Sequence, residues 1–332
     1  MKQLLTLICI ISCVIQLTAQ DGHFSQFYAS PMALSPALTG MSAYKLKATA
    51  QYREQWRSVT IPYVSMQGGI EGRFNSGYNN AWGAGLYFVN NEAGDAQFSN
   101  PQIYLSGAYH FGLDADGSSF ISVGGQFGAA QRSIQNSLTF NSQYNGTFFN
   151  INIPSGEQID NQQMTYFDGA AGLAYSYIID GQTSFYVGSA LYHINRPNIS
   201  FTSEPDPLSR KFTFYAGGSF PLSEQFSLLL QGVIFNQGPF NEVNFGAMVR
   251  YDLIPSYYDN AGELAIAVGT IHRIQDAQIF VGRLDYKTFS LGLSYDFNFS
   301  NLTTASNSRG GYEVSLVYQF GEIERGRGCP VF

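Results

Sequence analysis

The chain has 332 residues, of which 12% are charged and 15% aromatic, and its formal net charge is −7. Soluble domains carry roughly 25% charged residues, so about half the charge that a water-facing surface needs is missing. The acidic balance, with no basic stripe, argues against nucleic acid as a partner.

The chain opens MKQLLTLICIISCVIQLTAQ. Lys2 precedes an apolar stretch from Leu4 to Leu17, and Leu17-Thr18-Ala19 offers a small-residue cleavage site. That layout predicts a secretory signal peptide over residues 1–19, too short and wrongly flanked for a permanent spanning helix. A second reading of the same residues is a lipoprotein box, Ile10-Ile11-Ser12-Cys13, although Val14 and Ile15 follow where a polar tether is usual. Cys9 and Cys13 leave with a cleaved signal, so Cys329 stands alone and no intrachain disulfide is expected. Beyond the signal no run of ~18 apolar residues occurs, which excludes spanning helices. An exported chain that is poor in charge and rich in Tyr, Phe and Gly therefore predicts an all-β fold, a transmembrane antiparallel β-barrel. A bilayer demands that every backbone group be paired internally, and a closed sheet does this without helices.

Residues 20–43 come before any strand. Asp21 to Gly40 reads DGHFSQFYASPMALSPALTG, with Phe24, Phe27 and Tyr28, then Pro31 and Pro36. Its apolar residues follow neither a strand nor a long helical period. From residue 44 strict alternation takes over. Tyr44, Leu46, Ala48, Ala50 and Tyr52 share one face, and Lys45, Lys47, Thr49 and Gln51 the other. About fourteen strands follow, at 44–52, 63–72, 81–90, 102–112, 119–131, 169–179, 184–194, 210–220, 226–236, 243–251, 263–272, 276–286, 288–298 and 311–320. The faces of 184–194 and 276–286 are mixed, which reads as bulges. The last strands are clear: Phe289, Leu291, Leu293, Tyr295 and Phe297 oppose Ser290, Gly292, Ser294, Asp296 and Asn298. The barrel spans residues 44–320, and 321–332 form a periplasmic tail.

The connections sort by parity. Asp114 to Gly117, Asp180 to Gln182 and Pro221 to Glu224 are compact turns, while Arg132 to Tyr166, Asn195 to Ser209 and Phe299 to Gly310 are long and polar. Outer-membrane barrels have short periplasmic turns and longer outer loops. Asp252 to Glu263 is the exception, being long for a turn. An even strand number places both mature termini in the periplasm.

Several motifs resemble the PorP/SprF family of outer-membrane proteins, associated with the type IX secretion system and gliding apparatus of Bacteroidetes. Gln20, Asp21, His23, Phe24, Ser25, Gln26, Phe27, Pro31, Pro36, Ala37 and Gly40 follow its N-terminal pattern, with Ser35 where Asn is usual. Tyr52-Arg53-Glu54-Gln55-Trp56 and Tyr312 to Leu316 resemble further family features. The resemblance implies a non-catalytic barrel that helps export or anchor a secreted surface protein, such as an adhesin with a C-terminal sorting domain. It also implies contact with periplasmic secretion components. A channel for small solutes is the alternative.

A fourteen-strand barrel encloses more space than inward side chains fill, since ~8 strands already fill with side chains. The segment Asp21 to Gly40 is thus expected either to fold into the lumen or to clasp its periplasmic rim. On the outer side, Arg53 and Trp56 form a charged-aromatic cluster, read either as an outer-girdle Trp beside polar headgroups or as part of a partner-docking surface, and the Asn/Ser-rich loop Gln135 to Gln163 carries Tyr144, Phe148 and Phe149. Long polar loops with a few aromatics suit partner recognition. No catalytic, cofactor or metal set is apparent. His110 could pair with a serine, but no third member is placed for it; His193 reads as structural; no paired cysteines or H-E-x-x-H occur.

Overall fold

The computed structural model describes residues 21–57, 61–76, 79–94, 97–134, 140–150, 152–154, 161–179, 183–254, 264–300 and 308–321. The expected signal peptide, the box at Cys13, Cys329, residues 322–332 and the turn Asp180 to Gln182 lie outside the described residues.

Fourteen long strands close into one antiparallel barrel. They are β1 (Leu46–Gln55), β2 (Tyr63–Ser76), β3 (Asn80–Ala93), β5 (Gln102–Gly112), β6 (Ser119–Ser133), β7 (Gln163–Ile179) and β8 (Thr183–Tyr192), then β9 (Lys211–Pro221), β10 (Phe226–Gln237), β11 (Phe240–Ile254), β12 (Leu264–Arg273), β13 (Ala277–Tyr286), β14 (Phe289–Asn298) and β15 (Arg309–Phe320). A two-residue piece, β4 (Phe98–Ser99), bridges β3 and β6 above β5. Each strand pairs with its neighbour in sequence, and β1 closes the ring on β15 with Ala50 opposite Leu316. No free sheet edge remains, as lipid requires.

Alternation sets which face meets lipid. Along β14, Leu293, Tyr295 and Phe297 are exposed while Ser294, Asp296 and Asn298 are buried inside. Trp82, Leu86 and Phe88 repeat the arrangement on β3. The greasy face points out and the polar face in, the reverse of a soluble sandwich. No helix among the described residues is long and apolar enough to cross a membrane.

Strand boundaries agree with the alternation to within a few residues, except that β7 begins six positions earlier than expected, at Gln163 rather than 169. Residues 163–168 pair with Gly128 to Ser133 and lift the β6–β7 hairpin above its neighbours. The expected bulges are absent. β8 and β13 pair without interruption, and the register shifts fall instead at Asp252/Ile254 and Tyr295/Phe297. The mixed faces have another cause: Tyr186 and Ala190 of β8, and Ala277, Ile279 and Val281 of β13, point inward and are buried. They are apolar because the lumen they face is not filled with water.

The two ends of the barrel differ. One end, here the turn end, carries Leu113 to Ser118, Leu222 to Gln225 and the pair Lys287-Thr288. The loop end carries the long connections from 134 to 162 and 193 to 210, although Gly238-Pro239 and Ile274 to Asp276 are tight there too. The N-terminal segment lies inside the barrel, but it does not begin at the end from which β1 starts. Asp21 lies at the loop end, against His193, Lys211 and Gln237 at the tips of β8, β9 and β10. From there the chain descends through the lumen to Gly40, which approaches Gly72 and Gly83 at the turn end, and only then enters β1.

Candidate functional site

Residues 21–42 form a plug. A 3-10 turn at Phe27–Ala29, a one-turn helix at Pro31–Leu34 and a second 3-10 turn at Pro36–Leu38 follow one another. Pro31 and Pro36 each start a turn, where the missing proline N–H leaves no bond unmade. Ser35 caps the last turn by accepting the Ala37 N–H at 3.2 Å. Such short helical pieces need tertiary contacts to persist, and the barrel supplies them on every side.

One wall is apolar. Phe27, Tyr28, Leu34, Ala37, Leu38 and Met41 pack on Tyr186, Tyr215, Val233, Met248, Ile271 and Ile279. The Tyr192 hydroxyl donates to the Ala33 carbonyl at 3.0 Å. Elsewhere the barrel makes room by omission: a Cβ at Gly83 would overlap the Thr39 carbonyl, and one at Gly124 the Pro36 carbonyl. Backbone approaches backbone there only because both positions are glycine.

The adjoining wall is charged. Glu313 accepts the backbone N–H of Ser25 at 2.6 Å and of Gln26 at 2.9 Å. The Ser25 hydroxyl donates to Asp296 at 2.9 Å, and the Ser315 hydroxyl donates to the side-chain amide oxygen of Gln26, Oε1, at 2.7 Å. Arg53 donates to Asp296 at 2.7 Å and to the His23 carbonyl at 2.9 Å. Arg273 joins with bonds to Asp296 and to the Ser25 hydroxyl. Hydrogen bonds to charged groups contribute about 1.5–3 kcal/mol each, so a segment otherwise free to leave is pinned at Ser25 and Gln26. Burial, and then the guanidiniums of Arg273 and Arg53, hold the His23 imidazole well below its ordinary range; its Nε2 lies 3.3 Å from Glu242.

Both ends are fastened as well. At the loop end, the Asp21 carboxylate lies 2.9 Å from His193 Nε2 and accepts from Lys211 at 3.0 Å, while His193 Nδ1 lies 2.8 Å from Asp168. Burial raises the Asp21 carboxyl, but Lys211 and His193 outweigh it and leave the group well below the usual carboxylate range. Burial likewise lowers His193, yet Asp21 and Asp168 prevail and push it up to about 9. At the turn end, the Gly40 N–H donates to Glu71 at 2.7 Å, and Thr39 Oγ1 lies 2.6 Å from Ser106 Oγ. His110 joins Ser122 Oγ, 2.7 Å from Nδ1, to the Thr39 carbonyl, 2.9 Å from Nε2. Both ring nitrogens are thus engaged, one on the barrel wall and one on the plug.

The sequence-expected residues divide into two groups. Asp21, His23, Phe24, Ser25, Gln26, Phe27, Pro31, Pro36 and Gly40 come together in the lumen as the plug. Arg53 was expected beside Trp56 in a cluster on the outer side, past the end of the first strand; it is 1% exposed and points into the lumen from within β1. Alternation explains the correction, since Arg53 continues the inward face of Lys47, Thr49 and Gln51. Trp56 does lie at the loop end, half-buried against Tyr63. Tyr144, Phe148 and Phe149 are exposed on a small hairpin, with Tyr144 and Phe149 bridged and 5.2 Å apart. Asp296 was read on the polar face of its strand and Glu313 within a family-like motif, but Arg273 and Asp168 were not singled out from sequence. The available signal was an ionisable residue on the inward face of a spanning strand, which needs a partner inside. Among the described residues no group of three or more His, Cys, Asp or Glu could hold a metal.

A family model described as "Type IX secretion system membrane protein PorP/SprF" matches residues 16–318. No curated protein matches the sequence. Among solved structures, the chain is similar to the CymD monoaromatic hydrocarbon channel at 14% identity, covering 89% of this chain and 94% of that one with a TM-score of 0.50. It is also similar to a Pseudomonas aeruginosa FadL homologue at 10% identity, covering 88% and 95% with a TM-score of 0.48, and to the Ralstonia pickettii toluene transporter TbuX at 10% identity, covering 88% and 94% with a TM-score of 0.47. At 14% identity the likeness to CymD speaks to the barrel fold alone.

Proposed function

The chain belongs to the PorP/SprF family of type IX secretion system membrane proteins, and on that premise we propose that it is a non-catalytic outer-membrane barrel that supports export or surface anchoring of one secreted partner. The partner is a surface protein with a C-terminal sorting domain. The observation that carries the reading is the plug: a lumen closed by apolar packing, by a buried ionic wall and by fastenings at both ends serves better as a post than as a pore. A small-solute channel would have to break all of these to open. The loop end faces outward, as long loops do in outer-membrane barrels, and the exposed Tyr144, Phe148 and Phe149 are the surface we assign to the partner. The turn end faces the periplasmic components of the machine, and residues 1–19 are the export signal.

The test is recovery of the protein from its native membrane in mild detergent, followed by mass spectrometry. A sorting-domain protein in stoichiometric amount supports anchoring. Its absence, together with solute uptake by proteoliposomes, overturns the reading in favour of transport.

A further inference from the structure

Two irregular pieces of backbone face each other across the seam where β1 meets β15, at the loop end, and each turns an arginine outward. On β15 the alternation puts Tyr312, Leu316 and Tyr318 outside and Glu313 and Ser315 inside, so Arg309 belongs by count with the inward set. It does not join them. Tyr295 and Phe297 of β14 stand opposite Tyr312 and Arg309, so β15 carries one residue more than its partner over that interval. The extra residue falls at Gly310-Gly311, where an added Cβ would crowd the carbonyls of Asp296 and Glu54. A bulge of this kind re-aims the side chain beyond it, and Arg309 emerges exposed beside Phe297 on the lipid-facing side.

On β1 the Trp56 N–H donates to the Gly310 carbonyl at 3.1 Å, one rung past Gln55. Trp56 then takes a φ of 58°, a left-handed conformation that a bulky residue seldom adopts. Arg57 is thereby folded back over Glu54, with Nε and Nη2 donating to its two carboxylate oxygens, the second at 3.0 Å. The Tyr52 and Tyr312 hydroxyls donate to the same carboxylate at 3.1 and 2.7 Å. Glu54 is buried beneath them, and it fixes one edge of a guanidinium whose side chain remains 73% exposed. The other edge of Arg57, Nη1, and the whole of Arg309 make no hydrogen bond or ion pair among the described residues.

Two cations against one carboxylate leave excess positive charge at this spot, on a chain whose total is −7. Below it on the same outward face, Phe297, Tyr295 and Leu293 are exposed along β14. Positive charge above an apolar, aromatic column is complementary to an amphiphile with an anionic head. Guanidinium forks match phosphate oxygens, and the aromatic girdle of a barrel lies at headgroup depth. A protein docked on the loop tips would meet these arginines only sideways, because both face the membrane boundary. We propose that Arg57 and Arg309 clamp the phosphate of a lipid in the leaflet at the loop end, with its chains along Phe297, Tyr295 and Leu293. The site does not rest on the anchoring role.

The full-length mature protein, purified in an amine-oxide detergent, is loaded with equimolar dioleoyl phosphatidate and dioleoylglycerol, which differ only in the phosphate. Bound lipid is then counted by native mass spectrometry. The wild type should retain phosphatidate at least about fivefold over dioleoylglycerol. Arg309→Gln, which breaks no bond, should lower that preference at least about twofold without changing the melting temperature, and adding Arg57→Gln should abolish it. Arg196→Gln, at an exposed loop-end arginine elsewhere, should leave it intact. Millimolar inorganic phosphate should not displace the lipid, because the chains supply part of the binding. The proposal is overturned if both lipids are retained equally, if Arg309→Gln and the double variant keep the wild-type preference, or if inorganic phosphate displaces the lipid.

Discussion

Glu313, on the last strand, accepts the backbone N–H of Gln26 at 2.9 Å across 287 residues of chain. It accepts the Ser25 N–H as well, and it sits opposite Arg53 in the β1–β15 register. The seam that closes the barrel and the site that pins the plug are therefore the same place.

Removing that carboxylate should loosen both. Glu313→Ala leaves two backbone donors and the Arg53 guanidinium facing an empty space in a buried setting. Breaking a buried charged pair from one side costs about 3–5 kcal/mol. The midpoint of urea unfolding in detergent should fall accordingly, and Glu313→Gln, which keeps one acceptor oxygen, should lose less.

Two glycines test the packing independently of charge. Gly83→Val places a side chain where the Thr39 carbonyl already lies, whereas Gly282 has nothing within 4 Å of its missing Cβ. Overpacking costs about 1–3 kcal/mol, and open surface positions change stability by less than about 0.5 kcal/mol. Thermal melting should separate Gly83→Val from Gly282→Ala in that order.

Much of this arrangement was legible in the sequence. All fourteen long strands followed from alternation, because a barrel with lipid outside and a polar lining inside imposes a period of two over ten residues or more. Where the pattern blurred, at β8 and β13, the blur recorded an apolar lumen facing the plug. Reading it as bulges missed Ile279 and Val281 as inward residues. The direction of the plug was not legible. Strand parity fixes where β1 starts but says nothing of a segment that threads the lumen from the other end, and Asp21 meets His193 only through contacts far apart in sequence. Arg53 was misplaced for a simpler reason: a strand that ends three residues later than expected, at Gln55, turned an outer cluster into an inner face.

The loop-end clasp should respond to pH. His193 is pushed up to about 9 by Asp21 and Asp168 against its burial. It faces these two carboxylates and shares Asp21 with Lys211. A raised imidazole contributes stability that is fully present below about 6.5, its ordinary value, and is lost as pH rises through about 9. The full contribution is about 3 kcal/mol at ~1.4 kcal/mol for each factor of ten. Asp21, held low, works on the acid side: its contribution is present above about 4 and disappears as pH falls through its lowered value. Melting temperature should therefore drop between pH 7 and 10 in the wild type, and His193→Asn should flatten that limb.

The exposed hairpin bears on partner retention alone. Phe148→Ser with Phe149→Ser removes two aromatic side chains that are 58% and 49% exposed. The double variant should fold and melt as the wild type does, while the co-purifying surface protein falls well below stoichiometry. Unchanged recovery would place the contact elsewhere.

The central claim is that residues 21–42 close the lumen, and ion conductance in planar bilayers tests it most directly. The wild type should show no stable open channel, and a variant lacking residues 21–40 that keeps the heat-modifiable migration of a folded barrel should conduct in discrete steps. Equal conductance of the two proteins, open or closed, would contradict the account.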